Sequence, residues 1–309
     1  MFLALQIYLE KVLPGYHRYL DAERHLSRYT IRNYFNDLHS YFSFLSEQEI
    51  TSLEEVDHAL LRRFMGALAD QNIVRPSIAR RLSALRSFYG YLMREKLIAS
   101  DPMKSAISPK LQQRLPSFLS HEEARNLMEA PDLSTPQGLR DRAFLELLYA
   151  SGLRVSELVG LDISDINLTT RELRVLGKGS KERIVLMGEP AEQAVETYIE
   201  KGRPQLSDHA RGQALFINRY GRRFSQRLVQ LLVSKYGRLV GLTKKVHPHL
   251  LRHTFATHML DGGADLRVVQ ELMGHTNLAT TQVYTHVSQS QARKVYLSAH
   301  PMAKPEKPE

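Results

Sequence analysis

Apolar residues recur at spacings of three and four along most of the first hundred positions, which predicts packed helices. In YTIRNYFNDLHSYFSFL, the residues Ile31, Tyr34, Phe35, Leu38, Tyr41, Phe42 and Leu45 fall on one stripe, as expected of a helix with one buried face. Its aromatic members are read as core, not as a platform on which bases stack. The segment SIARRLSALRSFYGYLMRE places Ile78, Leu82, Leu85 and Tyr89 on one side and Arg80, Arg81 and Ser87 on others. The rhythm lapses in IASDPMKSAISPKLQQRLPS, which carries three prolines and reads as an extended linker over about 98–115. It resumes at SHEEARNLMEAP, where Ser120 and Glu123 have the spacing of a capping box. One stretch, ELRVLGKGSKERIVLM, instead has two β-branched runs around a glycine-rich turn, the form of a β-hairpin. Helical periodicity returns after Gly188, and the proline- and charge-rich end, 299–309, is expected to be disordered. The pattern predicts a mainly α chain of two domains: a helical bundle over 1–97, and a helical domain with a small antiparallel β-sheet over 116–298. A length of 309 residues is enough for two separate cores.

Charge adds a partner. With 42 Lys and Arg against 33 Asp and Glu, the formal net charge is +9, and such a surface attracts polyanions, nucleic acid foremost. The excess is concentrated between Arg75 and Lys96, where six basic residues face one acid, Glu95. Arg80, Arg81 and Arg86 are therefore candidate DNA contacts, with a merely solvated helix face as the alternative. There is no cysteine, so disulfides, thiolate metal sites and cysteine nucleophiles are excluded, which fits an intracellular protein. The apolar start FLALQIYLEKVL is broken by Glu10 and Lys11 and reads as an amphipathic helix, neither leader nor membrane span. The expected location is the cytoplasm, with no membrane association.

Two familiar chemistries can be set aside. The GKGSK turn lies between two strands and lacks the spacing of a nucleotide-binding P-loop, and no paired-carboxylate motif suggests two Mg²⁺ ions. Any phosphate chemistry would rest on cationic side chains, so neither cofactor nor metal is expected. The segment HPHLLRHTFATH holds four histidines. His249 and His253 share a helix face, but Arg252 between them would repel a dication, and the HExxH pattern is missing. Phosphate binding by His and Arg one turn apart is favoured over packed histidines, and over a metal.

Four segments in order, YASGLRVSELVGL, GKGSKER, HPHLLRHTFATHML and ELMGHTNLATTQVYTHV, resemble the motifs of the tyrosine recombinase family. Together with RPSIARRLSALRSFYGYL in the N-terminal part, their wording is similar to the Xer branch of bacteria and archaea. The resemblance covers residues 1–298 and implies a two-domain clamp around duplex DNA, with a core-binding N-terminal domain and a catalytic C-terminal domain. It implies that Arg154 and Arg252 hold the nonbridging oxygens of the scissile phosphate, a task suited to planar, permanently charged guanidinium groups. Glu157 would orient Arg154, and Lys178 would protonate the departing 5′ oxygen, with Lys181 as its rival and otherwise a DNA contact. His249 and His275 would complete the pocket, and which of them serves as general base stays open. Tyr284 would be the nucleophile, forming a 3′-phosphotyrosine. A phenol of pKa about 10 is scarcely ionised at pH 7, so a base or a cationic pocket is needed. Tyr149 and Tyr296 serve as internal controls for that assignment.

The activity implied is site-specific recombination without metal or ATP, resolving chromosome dimers at a dif-like site. It would be carried out by a homo- or hetero-tetramer on two DNA sites, linked through the C-terminal helix. A paralogous recombinase and an FtsK-like DNA translocase are further implied partners. Alternatives are a mobile-element or phage integrase of the same chemistry and a noncatalytic architectural DNA-binding protein. Against the integrase, the core-binding pattern starts almost at Met1, leaving no room for an added arm-binding domain.

Overall fold

The computed structural model describes residues 2–105, 117–177, 182–206, 212–274 and 288–303. The chain divides into two compact units, Met1–Arg114 and Leu115–Glu309.

In the first unit the helices are α1 (Phe2–Arg18), α2 (Arg28–Glu47), α3 (His58–Asp70) and α4 (Arg75–Arg94). Their starts are set locally. The Ser27 hydroxyl accepts from the Thr30 N–H, the Asp57 carboxylate from the Leu60 N–H, and Pro76 occupies the first turn of α4. The expected stripes are core: Ile31, Leu38, Tyr41 and Leu45 of α2 are buried against Ile78, Leu82, Leu85, Phe88 and Tyr89 of α4. Tyr34, Phe35 and Phe42 pack at its edge. The hydroxyls of Tyr41 and Tyr89 satisfy each other at 2.8 Å inside this core. The expected linker begins too early. Ile98 and Met103 are buried in the same cluster, around a 3₁₀ turn over Pro102–Ser105, because two apolar side chains amid the prolines find core to cover.

The second unit opens with α5 (His121–Glu129), and the Ser120–Glu123 capping box is formed, with bonds of 3.1 and 2.7 Å. Next come α6 (Pro136–Ser151) and the short α7 (Val155–Gly160). An antiparallel sheet of order β1-β2-β3 follows, made of β1 (Ile166–Asn167), β2 (Glu172–Leu176) and β3 (Glu182–Leu186). The hairpin strands pair from Glu172 opposite Leu186 to Leu176 opposite Glu182. The remaining helices are α8 (Glu189–Thr197), α9 (Arg203–Leu206), α10 (Gln226–Leu239), α11 (Pro248–Asp261), α12 (Leu266–Met273) and α13 (Ser288–Ala299). Helix α6 is buried on nearly every side, the central post around which the other elements of this unit pack.

One expectation about the C-terminal end changes. Residues 299–303 are packed: Ala299, His300 and Ala303 are buried. The His300 ring stacks on Tyr296 and lies against Tyr149 and Phe255, so apolar contact outweighs the polar composition there. Residues 304–309 lie outside the described residues. Helix α13 packs within this single chain on its own unit. Tyr296 and Ala299 join Phe255, Met259, Val269 and Leu272 in one cluster, and the Tyr296 hydroxyl donates to the Ala150 carbonyl at 3.0 Å. Among the described residues no helix is long and apolar enough to cross a membrane.

Candidate functional site

The site forms where α6, α7, β3, α11 and α12 meet. Helix α6 ends at Gly152, whose φ of 56° is the left-handed conformation that favours glycine. An added Cβ would lie 2.5 Å from the Phe255 ring. That turn lets Arg154 sit at the N-cap of α7, where the Glu157 carboxylate accepts from the Arg154 N–H at 2.8 Å. The same carboxylate accepts from the Arg154 guanidinium at 2.9 Å, so Glu157 fixes both backbone and side chain of Arg154.

Arg252 reaches the site from α11 and is 6% exposed. Its Nη1 donates to the Gly152 carbonyl and its Nη2 to the Met273 carbonyl. Arg154 donates to the next carbonyl, that of Gly274, at 3.1 Å. The two arginines thus satisfy consecutive carbonyls at the C-terminal end of α12, where the helix dipole is negative. Gly274 is left-handed, with φ 66°.

A third guanidinium, not singled out from sequence, completes the cluster. Arg183 of β3 makes a fork on Glu157, with Nη1 to Oε1 at 2.7 Å and Nη2 to Oε2 at 3.0 Å. An added Cβ on Gly274 would meet this guanidinium at 2.9 Å. The available signal was the alternation of β3, which puts Arg183 on the same face as buried Val185. Its partner Glu157 is 26 residues away, and sequence alone does not give that pairing.

One carboxylate therefore stands among three guanidinium groups. Burial pushes the Glu157 pKa up, but the bonds from Arg183 and Arg154 outweigh it and hold the carboxyl below the usual range. Burial, and next the charge of Arg154, push Arg252 down to about 10, which leaves it charged at neutral pH. Three guanidinium groups against one carboxylate leave an excess of fixed positive charge at this site, which attracts anions.

The other expected site residues are distributed as follows. His249 lies one turn before Arg252 on α11 and is exposed, on the same side of the helix by its spacing. The neighbouring histidines do structural work. His247 caps α11 by accepting from the Leu250 N–H at 3.1 Å, and burial lowers its pKa. His258 is buried between the Tyr149 hydroxyl at 2.8 Å and the Leu119 carbonyl at 2.9 Å. Lys178 and Lys181, in the turn between β2 and β3, lie outside the described residues, as do His275, which follows Gly274 directly in the chain, and Tyr284. Both control tyrosines are core: Tyr149 and Tyr296 are each 1% exposed, and burial raises both phenols. In the first unit, Arg80 and Arg81 turn toward the buried Asp37 of α2. Arg80 pairs with its carboxylate, and Arg81 lies 3.7 Å from it while donating to the Ser40 hydroxyl at 2.9 Å. Arg86 is half-buried.

A helical unit bearing a small antiparallel sheet, with arginines from α7 and α11 held at the end of α12, is the frame of a tyrosine recombinase catalytic domain. The phage integrase family matches residues 117–291, and the N-terminal SAM-like domain of phage integrases matches residues 13–96. The chain belongs to this family, as a tyrosine recombinase of the Xer type and hence an enzyme of DNA strand exchange. It is 45% identical over 295 residues to tyrosine recombinase XerC of Pelotomaculum thermopropionicum, covering 93% of this chain and 96% of that protein. With tyrosine recombinase XerD of Staphylococcus aureus strain Mu50 the identity is 43%, covering 96% and 100%. Among solved structures, the pre-cleavage complex of XerH recombinase bound to its difH substrate aligns with a TM-score of 0.65 at 25% identity, covering 85% of this chain and 78% of that one. A lambda integrase dimer bound to a COC' core site shares the fold, with a TM-score of 0.67 at 18% identity, covering 90% of this chain and 99% of that one.

Proposed function

We propose that this chain is a site-specific recombinase that cuts and rejoins duplex DNA at a dif-like site, resolving chromosome dimers during segregation in the cytoplasm. The observation that carries the reading is the convergence of Arg154 and Arg252 on the end of α12, directly before His275, with Glu157 holding Arg154. In this mechanism the two guanidiniums bind the nonbridging oxygens of the scissile phosphate and offset the charge that grows on them as phosphorus becomes five-coordinate. Such electrostatic stabilisation acts most strongly when its donors are already fixed in place. The Tyr284 oxygen attacks phosphorus and the bond to the 5′ oxygen breaks. His249 or His275 takes the phenolic proton, and Lys178 gives a proton to the 5′ oxygen. The 3′-phosphotyrosine conserves the energy of the broken bond, so a 5′ hydroxyl from a second duplex reseals the strand by the reverse step, with neither ATP nor metal.

The N-terminal unit would add to the hold on the duplex, and Arg80, Arg86 and Lys181 would touch its phosphates. Strand exchange requires four protomers on two sites, with the same chain or a paralogue in the second pair of positions, and an FtsK-like translocase would supply activation. The relatives' names favour this housekeeping role over a mobile-element integrase. The test is recombination between two plasmid-borne copies of a palindromic site from the replication terminus, with the second recombinase supplied when one exists. Products should form equally in excess chelator and without nucleotide, and Arg154→Ala or Arg252→Ala should abolish them while site binding survives. Recombination that needs a divalent ion, or that persists in both variants, contradicts the reading.

A further inference from the structure

We propose that Arg183 is a positioning residue for strand cleavage, occupying Glu157 so that Arg154 stays available to phosphate. The inference rests on the role given above to Arg154. Glu157 has two oxygens, and three groups compete for them: the Arg154 N–H, the Arg154 guanidinium and the Arg183 guanidinium. Arg183 takes the fork position, one nitrogen to each oxygen. Arg154 is left with a single side-chain bond to Oε1, and its Nη2 turns to the Gly274 carbonyl. The consequence shows in exposure: the Arg154 side chain remains 36% exposed, whereas Arg183 is 18% exposed and Glu157 3%.

A carboxylate and a guanidinium on adjacent turns of one helix form a bidentate pair readily. Without Arg183, the nearly buried Glu157 would have Arg154 as its one bonded cation among the described residues and would draw the whole fork inward. The phosphate ligand would then be neutralised by its own orienting group. Arg183 also lies against Gly274, where no side chain could intervene. It therefore links the hairpin that carries Lys178 to the segment that continues into His275.

Removing Arg183 should also move a titration. The groups facing Glu157 are Arg154 on α7, Arg183 on β3 and, by its charge, Arg252 on α11. With Arg183 present, its bonds keep Glu157 ionised below the ordinary carboxylate range. With it gone, burial is opposed by less, so the carboxyl takes up its proton at higher pH, and a rate that depends on ionised Glu157 falls off sooner as the medium is acidified.

The experiment measures single-turnover cleavage of a nicked site by the full chain, with binding by gel shift and folding by thermal melting for every variant. Arg183→Gln should lower the cleavage rate tenfold or more at saturating protein, leave site affinity within about twofold, and shift the acidic limb of the rate profile upward. Arg183→Lys keeps the charge but not the fork and should fall between. Glu157→Gln removes the competition, so the Arg183→Gln, Glu157→Gln pair should cleave faster than the product of the two single losses allows. Normal cleavage by Arg183→Gln overturns the proposal. So does a loss that is explained by melting or weakened binding, that leaves the pH limb in place and that multiplies with the Glu157→Gln loss. If Arg154→Ala itself cleaves normally, the reading of the site fails first. If Arg154→Ala is dead and Arg183→Gln is normal, only the present inference fails.

Discussion

Gly152 shows how tightly single residues are fixed at this site. It combines a left-handed backbone with a ring 2.5 Å from any added Cβ, and its carbonyl receives Arg252. Gly152→Ala should cost about 1–3 kcal/mol for the backbone alone and more for the displaced Phe255. Cleavage should fall further than stability explains, because Arg252 loses a fixed acceptor. Chemical denaturation beside single-turnover rates separates the two, and a variant of unchanged stability contradicts the packing described here. At this scale much could be read from the sequence. The contact between Arg154 and Glu157 that the resemblance implied exists, and the motif around Arg252 drew attention to α11. Arg183 went unread although it stands in the same motif as Lys178, because its meaning depends on pairing β3 with α7 across the fold. The histidines divided on burial: His258 is a core residue and His249 an exposed one, a difference that spacing along a helix cannot give.

Elements carry the next set of consequences. On α4, Arg80 and Arg81 are neighbours in sequence but differ in environment, with side chains 44% and 18% exposed over the same buried Asp37. Arg80→Ala should reduce the salt dependence of site binding by about one phosphate contact and, because it removes the partner of buried Asp37, destabilise the N-terminal unit by about 1–3 kcal/mol. Arg81→Ala leaves the Arg80–Asp37 pair in place and removes the bond to the Ser40 hydroxyl, so it should leave the salt slope unchanged and cost about 0.5–1.5 kcal/mol. Equal salt slopes for the two variants and the wild type contradict the assignment of Arg80. Helix α13 was legible as amphipathic, while the surface its stripe covers within the chain was not, since an apolar stripe does not name its partner. Tyr296 fills a cavity among Phe255, Met259 and Leu272, so Tyr296→Ala should cost about 3–5 kcal/mol. Truncation after Ser288 should expose the same core and lower the melting temperature of the C-terminal unit. A truncated chain that melts like the full one would show that α13 leaves this core uncovered in solution.

For the whole molecule, the pattern of apolar positions was enough to separate two helical units and to place one hairpin between helices, because each unit needs its own buried face. The pattern failed at margins where a few apolar residues outvote composition: Ile98 and Met103 after α4, and His300 and Ala303 after α13. The two units have distinct tasks under this account. The first would contribute basic groups toward a duplex, and the second would hold arginines ready for the charge of a five-coordinate phosphorus. Both tasks would serve one proposed nucleophile, the Tyr284 oxygen. The direct test is to incubate the protein with a site carrying a nick next to the cleavage position, so that the cut strand diffuses away, and then to denature, digest and map the adduct. A stable 3′-phosphodiester on Tyr284 is expected, formed in chelator and missing in Tyr284→Phe. An adduct on any other residue, or cleavage that leaves no covalent protein–DNA species, would contradict it.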